Sequence, residues 1–281
     1  MVSSAEGVFK LREVGCKSAL SKSGLACWAL NCYVGCEHGC TYCYARFASR
    51  FSHPGEPWGS FVDVKINAPQ VLAQEVRRKR VGRVFVSSVC DGWQPREESY
   101  YLTRRCLEIL LHYGFPVTIL TKSALAGRDL DLLSPGDGVS FGVTLTTFDE
   151  GLRRLIEPKS SPTAQRLALL EEAKIRGIRT YAFLGPLLPY LSDTEENLLG
   201  LLEAIRGVGV DYFYIDRLNP RYGVWPSLKR LLERHFPYLV QEYQKILFDG
   251  WIRMEYSEKL RSVVNRLARK LQLDEKMRQC F

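Results

Sequence analysis

The feature that most constrains the fold of this chain is a regular alternation of β-type and helical runs between residues 28 and 218. The β-type runs are rich in branched and aromatic residues, and the segments between them show helical periodicity. Alternation of this kind produces right-handed βαβ units around a parallel sheet. The predicted strands are Trp28–Val34, Val62–Ile66, Arg83–Ser88, Val117–Thr121, Val139–Leu145, Ile178–Leu184 and Val210–Asp216.

About six strand–helix units fit into this stretch, which is fewer than the eight of a closed TIM barrel. We therefore predict an α/β fold that is either a partial (β/α)6 TIM-type barrel or an open doubly wound sheet. In both folds the functional groups lie at the carboxyl ends of the strands. The predicted helices are Val71–Lys79, Glu97–His112, Ala126–Leu133, Thr163–Arg176 and Thr194–Arg206.

The composition predicts a cytoplasmic protein without membrane contact. The 281 residues are 46% hydrophobic, yet no apolar run approaches the roughly 18 residues of a membrane helix. Met1–Gly7 lacks the basic-then-apolar order of a signal peptide. Nine cysteines in such a chain indicate reduced thiols and metal ligands. We divide the chain into an N-terminal segment 1–27, a barrel 28–218 and a basic helical C-terminal extension 219–281.

The charge of the chain is unevenly distributed. Its 39 basic and 31 acidic residues give a net charge of +8. Arg77–Arg80 and Arg83 form a basic run, and residues 251–281 carry eight Lys or Arg against four Asp or Glu. Basic surfaces attract polyanions, so nucleic acid is a candidate partner. Solvated helix surfaces explain the same charges.

Cys36, Cys40 and Cys43 have the spacing C-x3-C-x2-C on a loop with glycines at 35 and 39. Three thiolates can hold three irons of a [4Fe–4S] cubane and leave the fourth iron open, whereas ferredoxin motifs supply four thiolates. An open metal position usually serves chemistry. Structural zinc is the alternative, but it needs a fourth ligand and no second C-x2-C pair follows. Cys16, Cys27 and Cys32 could form a second cluster or metal site, but their spacings match no compact ligand motif. We expect these three, with Cys106 and Cys280, to be structural or free.

Several polar residues follow predicted strands and are expected at one cavity. Cys90, Lys122 and Arg217 end strand runs, and Thr144 lies on the strand Val139–Leu145. A lysine there can bind a carboxylate and a threonine can bind ribose hydroxyls, although each residue could also be an ordinary loop residue.

The cysteine loop resembles that of the radical S-adenosylmethionine (SAM) superfamily, in which the open iron chelates SAM. That resemblance implies a six-unit partial barrel, reductive cleavage of SAM to a 5′-deoxyadenosyl radical, and an electron donor such as flavodoxin or ferredoxin. It places Tyr42 near the adenine. The runs Gly35–Arg46, Thr121–Ser123, Gly142–Thr147 and Leu155–Pro158 resemble, more narrowly, the spore photoproduct lyase-like branch.

The narrower resemblance assigns further roles. It implies that Lys122 contacts the SAM carboxylate and Thr144 the ribose, with Ser88 and Glu157 as weaker cofactor-site candidates. A capping or salt-bridge role is the alternative for Glu157.

The resemblance also implies that Cys90 returns a hydrogen atom to the product radical, and that Tyr100 and Tyr101 could relay the radical. Burial as a small hydrophobe is the alternative for Cys90, and ordinary amphipathic helix residues the alternative for the tyrosines.

The resemblance implies a nucleic-acid substrate, more readily DNA than RNA, with a pyrimidine photoproduct that is flipped out to reach the cavity. Tyr212–Tyr214 and Tyr222–Trp225, with Arg217 and Arg221 between them, could line the mouth. A fold supports many substrates, so modification of RNA, a peptide or a small metabolite stays open. A non-catalytic iron–sulfur or zinc protein that binds nucleic acid also stays open.

Overall fold

The computed structural model describes residues 9–50, 52–133 and 138–281. The expectation for Met1–Gly7 lies outside these residues, and the side chain of Cys280 is also outside the description. The strands are β1 (Lys10–Val14), β2 (Leu20–Lys22), β3 (Trp28–Leu30), β4 (Tyr33–Val34), β5 (Phe61–Lys65), β6 (Val84–Val86), β7 (Val117–Thr121), β8 (Val139–Leu145), β9 (Arg179–Leu187), β10 (Tyr212–Arg217) and β11 (Met277–Cys280).

The helices alternate with these strands through most of the chain. The α-helices are α1 (Arg46–Ser49), α2 (Ala68–Glu75), α3 (Glu97–Tyr100), α4 (Leu102–His112), α5 (Glu150–Ile156), α6 (Thr163–Ile175), α7 (Glu195–Val208), α8 (Val224–His235), α9 (Val240–Phe248) and α10 (Gly250–Lys270). Short 3-10 helices span Ala124–Leu132, Pro237–Leu239 and Asp274–Lys276.

The main sheet confirms the predicted fold class. Its strand order is β2-β3-β6-β7-β8-β9-β10-β11. All neighbours from β3 to β11 pair in parallel, and β2 pairs antiparallel with β3. The run from β3 to β10 therefore supplies the six parallel strands of a partial TIM-type barrel. A separate small sheet has the order β1-β5-β4.

The two faces of the main sheet have different roles. Val143 and Leu145 of β8 and Ala182 and Leu184 of β9 belong to the hydrophobic core, together with residues of α2, α4, α6, α7 and α10. Each fully buried aliphatic side chain of this kind contributes about 1.5–3 kcal/mol. Since side chains alternate along a strand, the intervening residues point to the opposite, concave face of the barrel.

The first predicted strand is shorter than expected because the chain changes sheets after Leu30. The carbonyl of Cys32 accepts a hydrogen bond of 3.0 Å from the Lys65 backbone N–H, and Tyr33 pairs with Val64 of β5. The predicted strand Val62–Ile66 accordingly belongs to the small sheet rather than to the barrel. The first two strands of the barrel are therefore β3 and β6.

The predicted helix Glu97–His112 is broken at Tyr101, where the backbone φ is +53°. The buried Glu97 carboxylate accepts the backbone N–H groups of Thr103 at 3.0 Å and Arg104 at 3.2 Å. These are N–H groups that the first turn of a helix leaves unpaired, so Glu97 caps α4 instead of continuing into it.

The C-terminal extension is helical, as predicted, but it ends in a strand. β11 pairs in parallel with β10 and extends the main sheet. A second hydrophobic core joins α8 and α9 to the cluster loop through Cys40, Tyr42 and Leu228. Within residues 9–50, 52–133 and 138–281 no helix is long and apolar enough to cross a bilayer.

Candidate active site

The three motif cysteines lie on a tight loop that directly follows β4. The N–H of Gly39 donates to the Cys36 carbonyl at 3.2 Å, and the N–H of Cys43 donates to the Cys40 carbonyl at 3.2 Å. Gly35 has a φ of +85°, and a Cβ there would approach the Phe61 carbonyl oxygen to 2.5 Å. Only glycine fits this position without displacing β5.

The thiols of this loop suit a metal cluster. Every cysteine side chain that the structure describes is free. Burial raises the pKa of Cys36 and of Cys43, and it raises the pKa of Cys40 to about 12. The thiols therefore keep their protons until a metal displaces them, as thiolate ligation requires.

The donor arrangement does not suit a single ion. Within residues 9–50, 52–133 and 138–281 no three His, Cys, Asp or Glu side chains could hold one metal ion. Three thiolates on a cubane bind three different irons and need not converge on one point. Three free thiols on one loop can supply three ligands of an iron–sulfur cluster.

Asp91 fixes the residues at the end of β7. Its carboxylate accepts the Thr121 hydroxyl, the Lys122 backbone N–H at 2.8 Å and the Trp93 backbone N–H at 2.9 Å. His38 Nδ1 lies 3.4 Å from the same carboxylate. Burial opposes ionisation, but His38 and these backbone donors hold the pKa of Asp91 well below its usual range.

Tyr42 stands on a buried ion pair. Its hydroxyl donates to Glu157, whose carboxylate is paired with Arg166, and both charged side chains are fully buried. The Thr146 hydroxyl donates to the same carboxylate at 2.8 Å, and Ser160 donates at 3.1 Å. Burial opposes the charge, but Arg166 and Lys122 lower the pKa of Glu157 to about 2.

Lys122 and Thr144 lie beside this group. The Lys122 ammonium is 5.8 Å from the centre of the Tyr42 ring. Burial opposes its charge, but the carboxylates of Glu157 and Asp91 raise the pKa of Lys122. Thr144 pairs with Phe183 across β8 and β9, and alternation with Val143 and Leu145 places its buried side chain on the concave face.

Cys90 and Ser88 share one partner, Asn31, which follows β3. The Asn31 carboxamide donates to the Ser88 hydroxyl at 3.1 Å and accepts the Val89 N–H at 2.9 Å. The Cys90 thiol lies 3.7 Å from the Asn31 Oδ1. Burial raises the pKa of Cys90 to about 12, so its sulfur keeps the hydrogen at neutral pH. Tyr44 reaches the same turn, because its hydroxyl donates to the Ser88 carbonyl.

The structure does not bring Tyr100, Tyr101 or Arg217 to this group. The Tyr100 hydroxyl donates to Glu13 at 2.9 Å. The Tyr101 ring is 44% exposed and packs under the Arg128 guanidinium at 4.1 Å. Arg217 donates to Ser257 of α10 and lies 5.8 Å from the Phe281 ring. Alternation along β10 turns Arg217 toward the helices.

Sequence reasoning missed several residues that organise the site: Asn31, Tyr44, Asp91, Thr146 and Arg166. Tyr44 directly follows the third motif cysteine, and Asp91 directly follows Cys90, so adjacency was an available signal for both. Arg166 lies within a predicted helix, where nothing distinguishes it from a solvated arginine.

A parallel partial barrel with three free thiols at the carboxyl ends of its strands is the architecture of a cofactor-dependent α/β enzyme. The radical SAM superfamily model matches residues 30–216. An uncharacterized protein of Methanocaldococcus jannaschii is 33% identical over 211 residues, which cover 75% of this chain and 76% of that protein. An uncharacterized protein of Mycobacterium tuberculosis H37Rv is 34% identical over 275 residues, which cover 93% of this chain and 81% of that protein.

The chain belongs to the radical SAM superfamily, which implies an iron–sulfur cluster and SAM as cofactors. Solved structures share the fold. One is a spore photoproduct lyase complexed with dinucleoside spore photoproduct, with a TM-score of 0.68 and 15% sequence identity. The match covers 96% of this chain and 82% of the lyase chain. A variant of that lyase with bound AdoMet and the same ligand has a TM-score of 0.70 at 15% identity, with the same coverage.

Proposed function

We propose that this chain uses a [4Fe–4S] cluster to cleave SAM reductively and acts on nucleic acid as a photoproduct lyase-like DNA repair enzyme. The observation that carries the proposal is the meeting of the Cys90 thiol and the Tyr44 hydroxyl at one turn beside the cluster loop. A protonated thiol at the mouth of a SAM cavity is a hydrogen-atom donor in position to finish a radical reaction.

Cys36, Cys40 and Cys43 would hold the cluster. When bound, the cluster and SAM supply the electron and the carbon-centred radical that begin the reaction. Lys122 is the residue for the SAM carboxylate, because its ammonium stays charged beside Tyr42. Thr144 is the residue for the ribose.

Tyr42 and Glu157 have linked tasks in this proposal. Tyr42 would pack against the adenine, and its hydroxyl is anchored on Glu157. The Glu157 carboxylate is already occupied by Tyr42, Thr146, Ser160 and Arg166. Glu157 therefore acts on the cofactor through the orientation of Tyr42 and is a positioning residue.

Cys90 has the task of returning hydrogen to the substrate radical. Asn31 holds the turn that carries Cys90, and Ser88 lies within that turn. The Tyr44 hydroxyl donates to the Ser88 carbonyl in the same turn, so in this proposal Tyr44 takes the relay role that the sequence suggested for Tyr100 and Tyr101. Arg217 has no part in this chemistry.

The mouth of the cavity supports a nucleic-acid substrate. Tyr222 is 65% exposed. Its neighbour Arg221 is close enough to Tyr44 that its charge opposes the rise in the pKa of Tyr44 that burial causes. An exposed aromatic ring beside an arginine is a stacking platform for bases. The basic run Arg77–Arg80 precedes β6 and thus lies at the amino ends of the strands, away from the cluster loop. It does not contribute to this mouth.

The proposal includes a cytoplasmic setting and a flavodoxin or ferredoxin as the electron donor, because a one-electron reduction must be supplied from outside the chain. The decisive test is anaerobic. Cluster-loaded protein with dithionite and SAM should form 5′-deoxyadenosine faster with ultraviolet-irradiated oligonucleotides than with the same oligonucleotides left undamaged. Equal rates would redirect the search to RNA, peptides or metabolites. No 5′-deoxyadenosine under any condition would favour a non-catalytic nucleic-acid-binding protein.

A further inference from the structure

The concave face of the barrel carries aromatic side chains that neither hydrophobic core includes. Tyr181 and Phe183 alternate on β9 with the core residues Ala182 and Leu184, and Tyr212 and Tyr214 alternate on β10 with Phe213 and Ile215. Tyr181 and Tyr212 are buried, whereas Phe183 and Tyr214 are half-buried. These four rings therefore share the concave face of the barrel with Thr144.

Tyr181 and Tyr212 are the two rings nearer the amino ends of the strands, and they pack against each other. The Tyr181 and Tyr212 rings stack with centres 5.1 Å apart. Gly142 makes room for them, because a Cβ there would lie 2.5 Å from the Tyr181 ring. The guanidinium groups of Arg179 and Arg278 lie 5.2 and 5.9 Å from the centre of the Tyr212 ring.

The Tyr214 ring makes edge-to-face contacts with Tyr181 and Tyr212. Its ring centre is 6.0 Å from Tyr181 and 5.7 Å from Tyr212, with both planes at 90°. Edge-to-face packing of this kind fixes a ring. Tyr214 pairs with Phe183 in the sheet, and Phe183 pairs with Thr144. The two half-buried rings thus lie at the level of the SAM pocket.

Asp216 is two residues further along β10, at the mouth. Ile215 is in the core and Arg217 contacts Ser257 of α10, so Asp216, which lies between them, projects from the concave face of β10. The register of β9 against β10 shifts at this point, between Ile215 and Arg217. In the described part of the chain the backbone N–H of Arg217 donates to this carboxylate at 2.9 Å. Burial raises the pKa of Asp216, and the charge of Arg217 opposes that rise. A half-buried carboxylate with no side-chain donor is uncommon, because burial of a charge is costly without partners.

Asp216 also belongs spatially to the active site. A Cβ on Gly185 would lie 2.5 Å from the Asp216 carbonyl oxygen. The Gly185 carbonyl in turn accepts the Thr146 hydroxyl at 3.1 Å, and Thr146 contacts Glu157 beneath Tyr42. Asp216 is thus one strand away from the residues that we assign to SAM.

We propose that Asp216 orients the substrate by accepting a hydrogen bond from a ring N–H of a planar heterocycle that packs against Phe183 and Tyr214. This inference rests on the proposed function and specifies its substrate as a base that presents an N–H edge. Two residues of a strand span about 6.5 Å, so a six-membered ring that packs on Tyr214 reaches Asp216 with its edge. An ionised carboxylate only accepts hydrogen bonds, so it can bind a ring N–H but not the same ring position once it is methylated.

The test measures binding to the cluster-loaded protein with SAM present and no reductant. The probes are dinucleoside spore photoproduct and the same molecule methylated at the ring N3 positions, which lack the N–H. Asp216→Asn keeps the shape and removes the charge. Asp211→Asn is the matched control, because Asp211 lies just before β10 at its amino end and pairs with Lys174 at 2.6 Å.

We expect Asp216→Asn to weaken binding of the unmethylated probe about 10- to 100-fold, the range of a lost charge-assisted hydrogen bond. Methylation should weaken binding to the wild type by a similar factor and have little further effect in Asp216→Asn. The affinity for SAM and the binding by Asp211→Asn should stay at wild-type values. The methylated probe keeps the test informative even if a variant folds poorly.

Three results would overturn the inference. Equal affinity of wild type and Asp216→Asn for the probe, with no effect of methylation, removes Asp216 from recognition and leaves the proposed function standing. A loss of SAM affinity alone in Asp216→Asn assigns Asp216 to the cofactor instead. No binding of the probe by a wild type that still cleaves SAM refutes the photoproduct substrate, and the inference falls with it.

Discussion

The guanidinium of Arg166 forms a fully buried ion pair with the carboxylate of Glu157, directly beneath the Tyr42 hydroxyl. Arg166 also donates to the Thr144 carbonyl at 2.9 Å. One arginine on α6 thus joins the end of β8 to the residue that supports Tyr42. The pair links the packing of the barrel to the geometry of the proposed SAM pocket.

Loss of the arginine should be costly. Arg166→Met leaves the Glu157 carboxylate buried without its cation, and we expect the free energy of unfolding to fall by about 3–5 kcal/mol. The matched control is Arg176→Met, which breaks an exposed pair with Glu172 at 2.6 Å. That change should cost under about 1 kcal/mol. Urea unfolding of both variants decides the matter, and equal losses would contradict the structural role of the buried pair.

Because of the same ion pair, we expect the free energy of unfolding to fall as the pH drops below about 4.5. The pKa of Glu157 is lowered from 4.5 to about 2, so the folded state holds the carboxylate ionised where the unfolded chain protonates it. This contribution is complete above about pH 4.5 and is lost as the pH falls toward 2. Glu157→Gln should flatten the decline of stability in that window, whereas Glu172→Gln at the exposed pair should not. An unchanged slope in Glu157→Gln would contradict the assignment.

Lys122 should contribute to SAM binding and not to the cluster. Lys122→Met should keep its iron and bind SAM about 10- to 100-fold more weakly, since a charge-assisted hydrogen bond is worth roughly 1.5–3 kcal/mol. Lys159→Met is the control, because Lys159 is a nearby lysine whose partner is Glu37 at 3.2 Å. Titration calorimetry gives both affinities. If Lys122→Met binds SAM as the wild type does, Lys122 is not a cofactor residue.

Cys90 should affect the product and not the cleavage of SAM. Cys90→Ala should still form 5′-deoxyadenosine with the true substrate, but the product radical should take hydrogen from other donors, and the product distribution should change. Cys106→Ala is the control, because Cys106 is fully buried in the core and its loss should cost roughly 1 kcal/mol of stability. Mass spectrometry after a single turnover compares the two. Unchanged products in Cys90→Ala would rule out the donor role.

The strands and their order could be predicted from the sequence because hydrophobic periodicity is a local signal. Six of the seven predicted strands contain or overlap strands that lie side by side in the main sheet, and the exception is Val62–Ile66. Where a strand changes sheet after Leu30, the cause is the long-range bond between Cys32 and Lys65. A contact between residues so far apart in the chain cannot be predicted from a local sequence pattern.

The candidate site was predictable only where a motif or a strand end marks it. Cys36, Cys40 and Cys43 follow from their spacing, and Lys122 from its place after β7. Arg217 also ends a strand, yet it contacts Ser257 of α10, whereas we place its neighbour Asp216 on the concave face. The choice between two adjacent residues depends on which face of β10 packs on the helices, and that is a tertiary fact.

The central claim, that this cavity reverses a pyrimidine photoproduct by radical chemistry, has one direct measurement. Cluster-loaded protein is incubated anaerobically with SAM, dithionite and dinucleoside spore photoproduct, and the products are identified by mass spectrometry. The account predicts two separate thymine bases on the dinucleoside together with 5′-deoxyadenosine, and neither product from Cys40→Ala, which lacks a cluster ligand. Formation of 5′-deoxyadenosine while the photoproduct stays intact would contradict the claim.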